Sequence, residues 1–194
     1  YKLMLVPVRK IAGVINKTFL PAFSKIKDNI PKVKNYYIKV LELIALITFP
    51  MMGGLFIVAP EFILTVYGEN WIPVTTLIQI LWIAGASQSL GTTGGTILYS
   101  QGKSKLSFKW NIFSVTNMTL VIVLGLKLGG INGVAIGIAI STIYSRILQM
   151  KIIGSVINMS LYDLLNKIYK PFLYTLFMII VKKKKKSYFI LNIV

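Results

Sequence analysis

The chain has 194 residues, 55% of them hydrophobic and 14% charged, with a formal net charge of +17 and a mean hydropathy of +0.72; that balance requires lipid rather than water as solvent. With no Cys and no His, disulfide frameworks, thiol nucleophiles, His/Cys metal sites and Ser-His-Asp chemistry are excluded, and no metal or other cofactor is expected. The Lys and Arg residues fall between apolar blocks, as membrane loops require, so the positive charge points to a lipid bilayer as partner and not to nucleic acid.

The chain begins at Tyr1 with apolar sequence running into basic sequence. Residues 1–35 read as the end of a preceding span followed by a basic connector, and the whole chain reads as a fragment whose parent carries further N-terminal spans. Four blocks then meet the requirement of about 20 mostly apolar residues for crossing about 30 Å of hydrocarbon. They cover residues 36–58, 74–98, 106–126 and 131–153 and are expected as spans A, B, C and D of an all-α polytopic membrane protein.

Charge supports this topology independently. The connector before A carries Arg9, Lys10, Lys17, Lys25, Lys27, Lys32, Lys34 and Lys39 against Asp28, whereas the A–B connection holds Glu61 and Glu69 and no base. The B–C loop has Lys103, Lys105 and Lys109, the C–D turn only Lys127, and the stretch after D has Arg146, Lys151, Lys167 and Lys170. Basic loops therefore alternate with nearly uncharged ones, which places the basic side in the cytoplasm.

Span A contains the only acid inside a span, Glu42, expected either as an ion-pair partner of Lys39 or a nearby Lys, or as a coupling group for an ion. Further along, Pro50 precedes Gly53 and Gly54, a combination that kinks helices near mid-membrane and predicts a hinge. In span B, Thr75, Gln79, Trp82, Ala86, Ser89 and Thr93 recur at three- and four-residue steps and form one stripe. Such a stripe faces either a neighbouring helix or a hydrated cavity, because its polar groups are costly in lipid. Gln88 points the other way, so both faces of B are expected to meet protein.

Span C offers Asn111, Ser114 and Asn117 on a loosely shared face, with Trp110 as an interfacial anchor. Span D spaces Gly133, Gly137, Ser141 and Ser145 by four, a small-residue packing face with a GxxxG pair. Arg146, at its basic end, either reaches a cavity or snorkels to the membrane surface. Gln79, Ser89, Thr93 and Asn117 are the candidate cavity-lining residues. After D, Ser160 and Asp163 form a helix start ahead of Leu161, Leu164, Leu165, Ile168 and Phe172, predicting an interfacial amphipathic helix over 160–170. Residues 171–194 then read as a fifth span disrupted by Lys182 to Lys186, either a snorkelling basic tail or out-of-frame sequence after an A-rich run.

Several of these segments carry a family resemblance. The run FLPAFSKIKD at 19–28, FPMMGGLFIVAPEFI at 49–63, VYGENW at 66–71, ILYSQGKSK at 97–105 and GGINGVAIGIAIS at 129–141 resembles the polysaccharide and O-antigen exporters of the multidrug/oligosaccharidyl-lipid/polysaccharide superfamily, in the colanic-acid and teichuronic-acid branch. The resemblance implies two helical bundles around a central cavity, a fold like that of multidrug-extrusion transporters. It also implies flipping of an undecaprenyl-linked oligosaccharide across the bacterial inner membrane, as in lipopolysaccharide and capsule assembly, with no enzymatic step. The rival readings are a small-molecule antiporter of the same superfamily, which needs a buried carboxylate, and a membrane-embedded glycan polymerase or ligase, which needs larger outer loops. Replacing Gln79 by Leu in the full-length parent is expected to impair transport and leave membrane insertion intact; unchanged transport would remove Gln79 from the cavity lining.

Overall fold

The computed structural model describes the backbone of residue 13 and of residues 18–191, and side chains as far as residue 182. Most of the expected connector before residue 18 and residues 192–194 lie outside the described residues, which contain no strand. Helix α1 covers residues 18–25, followed by α2 (Ile30–Tyr67), α3 (Pro73–Leu90), α4 (Gly94–Ser100), α5 (Ser104–Ile157) and α6 (Leu161–Leu191). Three of them, α2, α5 and the first 22 residues of α6, are long and apolar enough to cross a membrane.

Helix α2 starts where its sequence says it should. The Asn29 side chain accepts the Lys32 N–H at 3.0 Å, satisfying one of the free donors of the first turn, and Pro31 occupies a position whose N–H would have no partner anyway. The helix continues for 38 residues to Gly68, where φ is +83°, so the expected span A covers only its middle. At 1.5 Å per residue it is about 57 Å long, well beyond the hydrocarbon thickness. The predicted hinge residues Pro50, Gly53 and Gly54 all lie within unbroken helix. Gly53 instead marks a close approach: a β-carbon there would stand 2.6 Å from Thr175 Cγ2 of α6.

Helix α6 gives a second difference from the sequence reading. Residues 160–170 do not form a separate interfacial helix; α6 runs straight through Pro171 to Leu191. Ser160 and Asp163 do make the helix start, since the Ser160 N–H donates to the Asp163 carboxylate at 2.9 Å and the Ser160 hydroxyl accepts the Tyr162 N–H at 3.2 Å. Beyond it, Leu164, Ile168, Pro171 and Thr175 form one buried row at helical spacing, and α6 packs along α2, with the Phe49 and Phe172 rings edge to face at 6.4 Å. Leu165, expected on the same apolar face, is turned outward instead. Lys34 pairs with Asp163 at 2.5 Å and joins the basic ends of α2 and α6.

The 54-residue α5 is two helices in sequence and in space. Gly129 and Gly130 leave helical geometry, Gly130 with φ +57°, and the chain reverses there. The arms, residues 104–128 and 131–157, then run antiparallel, each about 40 Å long. Gly125 meets Gly133 backbone to backbone, Val121 meets Gly137, and Asn117 Nδ2 donates to Ser141 at 2.6 Å and Ser145 at 3.3 Å. Without a hydrophobic drive between helices in lipid, this small-residue contact and the amide–hydroxyl bonds supply the attraction. The outward face of the first arm is apolar, up to Leu128 at 87% exposure, as a lipid-facing surface requires.

Span B also differs from its expected form. The helix breaks at Gly91–Thr93, where bonds from Gly91, Thr92 and Gly94 N–H groups run to the third residue back, at 3.1, 3.3 and 3.1 Å. The ladder tightens into a turn and α4 resumes at Gly94. Gly125→Ala is expected to lower stability by about 1–3 kcal/mol, because its β-carbon would lie 2.8 Å from the Val134 Cα and 2.9 Å from the Gly133 carbonyl oxygen. Gly54→Ala, with nothing within 4 Å, should leave it unchanged; thermal unfolding of both variants in detergent checks the contrast.

Candidate functional site: a polar cavity at the basic end

The helices bring their polar groups together in two ways. Along the contact of α2 with α3, the hydroxyls of Thr48 and Ser89 meet at 2.9 Å, and each also lies 2.7 Å from a carbonyl of its own helix, Ile44 and Ala86. Two protons serve three contacts, so the inter-helix bond forms when one hydroxyl releases its own carbonyl. One turn on, Thr93 is buried on the side of Tyr37 of α2, and neither hydroxyl has a hydrogen-bond partner among the described residues. The span B stripe thus turns Ala86, Ser89 and Thr93 toward protein, with Trp82 packed on Phe56 at 5.6 Å.

The second gathering is a cavity of about 310 Å³ at the end of the bundle that carries the lysines. Its walls come from the α3–α4 break (Gln88, Gly91, Thr92, Gly95, Tyr99), from the first arm of α5 (Ser107, Trp110, Asn111, Ser114) and from the second arm (Arg146, Gln149). The break at Gly91 makes room for the second arm. A β-carbon on Gly91 would overlap the Arg146 guanidinium, and one on Gly94 would overlap the Gln149 amide nitrogen. Arg146 in turn donates to Gln149 Oε1. Arg146 is therefore turned into the bundle and held, and does not snorkel.

A space of opposite character, about 520 Å³, lies toward the far ends of α2 and α3 and is lined almost wholly by apolar side chains, among them Leu55, Phe62, Trp71, Leu77, Val134 and Ile138.

Of the residues expected at a cavity, the structure brings only Arg146 to the polar one. Ser89 and Thr93 face α2, Asn117 ties the two arms of α5, and Gln79 is half-buried on α3 with no hydrogen-bond partner among the described residues. Glu42 is half-buried on α2 and makes no ion pair among the described residues, with Lys39 or any other base. Gln149, which is 4% exposed, and Ser107, Tyr99 and the Gly91–Gly95 turn are cavity residues that sequence reading passes over. The signals for them are an amide one helical turn from Arg146 and the helix-breaking GTTGG run at 91–95.

Residues 1–76 match the family model described as "Polysaccharide biosynthesis protein". The chain is 32% identical over 149 residues to the lipopolysaccharide biosynthesis protein WzxC of Escherichia coli K12, covering 77% of this chain and 30% of that protein. The chain belongs to the polysaccharide-exporter family of the multidrug/oligosaccharidyl-lipid/polysaccharide superfamily. Further relatives are an uncharacterized membrane protein in the cps region of Klebsiella pneumoniae, 30% identical over 97% of the chain and 41% of that protein, and the teichuronic acid biosynthesis protein TuaB of Bacillus subtilis, 27% identical over 90% of the chain and 36% of that protein. The chain thus spans between 30% and 41% of the length of these curated relatives. No solved structure matches it. The chain is an all-α, multi-pass membrane protein, and its environment is the lipid bilayer.

The family segments have local structural roles in the chain. The VYGENW run ends α2 at Gly68, closes one 3-10 turn over Glu69–Trp71 and sets the Tyr67 and Trp71 rings 6.0 Å apart, while Gln101–Gly102–Lys103 turns the chain from α4 into α5 beside the polar cavity. Arg146→Ala and Gly91→Ala are expected to be coupled, since the second substitution displaces the guanidinium that the first removes. A double-mutant cycle on thermal stability should show the double variant less destabilised than the sum of the singles, by about 0.5–3 kcal/mol.

Proposed function

We propose that this chain is part of an exporter that flips a lipid-linked oligosaccharide, on an undecaprenyl carrier, from the cytoplasmic to the outer leaflet of the bacterial inner membrane for cell-surface polysaccharide biosynthesis. The remaining N-terminal spans of the full-length protein complete a two-bundle transporter around a central path, and the lysine-bearing end faces the cytoplasm. The observation that carries this reading is the polar cavity at that end, set among Gln88, Asn111, Arg146 and Gln149 in a bundle whose other walls are apolar.

A glycan head group loses several kcal/mol for each polar group desolvated without a partner. A path across hydrocarbon therefore needs amide and hydroxyl linings and water, while the carrier tail stays in lipid. Transport of this kind breaks no covalent bond, which agrees with a chain lacking Cys and His. The relatives' names, which place them in lipopolysaccharide and teichuronic acid biosynthesis, support the same cargo class.

The competing antiporter reading depends on a coupling carboxylate. Glu42 is the acid available for it, half-buried and without an ion-pair partner among the described residues. Proteoliposomes carrying the full-length exporter should move an undecaprenyl-pyrophosphate oligosaccharide between leaflets above the protein-free leak. Arg146→Ala should slow this about tenfold, corresponding to about 1.4 kcal/mol, and Glu42→Gln should leave it unchanged. Absence of glycan movement together with Glu42-dependent, proton-coupled uptake of small cations would replace the flippase reading by the antiporter.

A further inference from the structure

The chemistry of the polar cavity is more specific than its polarity. Around its wall, the hydroxyls of Ser107 and Ser114 and the amide of Asn111 have no hydrogen-bond partner among the described residues. Ser107 is the telling member, since the residue is 1% exposed and lines the cavity, so a partner for its hydroxyl has to come from what fills that space. Tyr99 and Trp110 add aromatic surface on the same wall, the Trp110 ring packed on Phe113 at 5.4 Å.

The charge of the wall is the other constraint. Arg146 is the one cation among its lining residues; it donates to Gln149 Oε1, and its guanidinium lies against Gly91. Lys103, Lys105 and Lys109 are exposed and none of them lines this wall. A diphosphate binds best where several cations or backbone N–H groups converge on it. A neutral polyol needs what is present here: amides that donate and accept, hydroxyls that do both, and an aromatic face. The volume, about 310 Å³, equals about ten waters at about 30 Å³ each, room for one sugar ring and not for an oligosaccharide.

We infer that this cavity is a monosaccharide subsite, in which Ser107, Asn111 and Ser114 read the hydroxyls of one sugar of the cargo and Arg146 acts as a positioning residue that orients the Gln149 amide. The inference rests on the flippase reading for its biological cargo, and deepens it by separating sugar recognition from recognition of the diphosphate.

The test uses the full-length exporter in proteoliposomes with two undecaprenyl-pyrophosphate oligosaccharides that differ only in the sugar next to the diphosphate, glucose in one and galactose in the other. Asn111→Leu and Ser107→Ala are each expected to change the ratio of the two rates about fivefold or more, a change of about 1 kcal/mol in discrimination. Equal slowing of both cargoes by both variants would overturn the subsite. If the unsubstituted protein moves neither cargo, the flippase reading fails on its own, and a second measurement decides the subsite. Methyl glucoside and methyl galactoside should then change the tryptophan fluorescence of the detergent-solubilised exporter saturably, with the change absent in Trp110→Phe and weakened at least fivefold in Asn111→Leu. A response to sodium pyrophosphate alone, or no response to either glycoside, would overturn it.

Discussion

A bilayer offers a polar group no partner of its own, and the arrangement of this bundle follows from that constraint. Several of the hydroxyls and amides buried among the helices meet another across a helix contact, and others line the polar cavity. Thr48 with Ser89 and Asn117 with Ser141 and Ser145 belong to the first class. Ser107, Asn111 and Ser114 belong to the second. The same residue types do both jobs, and only their neighbours assign them.

Helix α2 is the element on which the others depend. It packs on α3 along one side and on α6 along another, with Tyr37, Leu41, Ile44 and Met52 wholly buried between them. Its long, capped course leaves α3 to bring Gln88 and the Gly91 turn against the second arm of α5. The glycines do the fitting, since Gly53 admits Thr175, Gly125 admits Gly133, and Gly91 admits the Arg146 guanidinium. The first two bring helices together and the third shapes a cavity. A small residue in lipid is thus a packing device by default, and becomes part of a site only where a long polar side chain occupies the room it leaves.

The polar cavity beside the tightened turn has walls from three separate segments, the α3–α4 break and both arms of α5, so its shape depends on how those segments pack.

The sequence by itself determined the class of molecule and the apolar segments that form its long helices. Hydropathy and the alternation of basic and acidic loops depend on composition over about 20 residues, which lipid reads without regard to tertiary neighbours. Local chemistry was equally legible in the Ser160–Asp163 helix start and in the small-residue face of Gly133 and Gly137. Only the tertiary structure decided which polar residues face a cavity. Helical periodicity groups Gln79, Ser89 and Thr93 on one stripe but does not say which neighbour that stripe meets, and it turned out to be α2 for Ser89 and Thr93. The Arg146 and Gln149 side chains find their place on Gly91 and Gly94 across more than fifty residues of chain, a pairing that no local pattern encodes. The course of α6 was hidden for the same reason: Pro171 and the lysine run look like interruptions in sequence, and the packing of α6 along α2 exists only in the folded bundle.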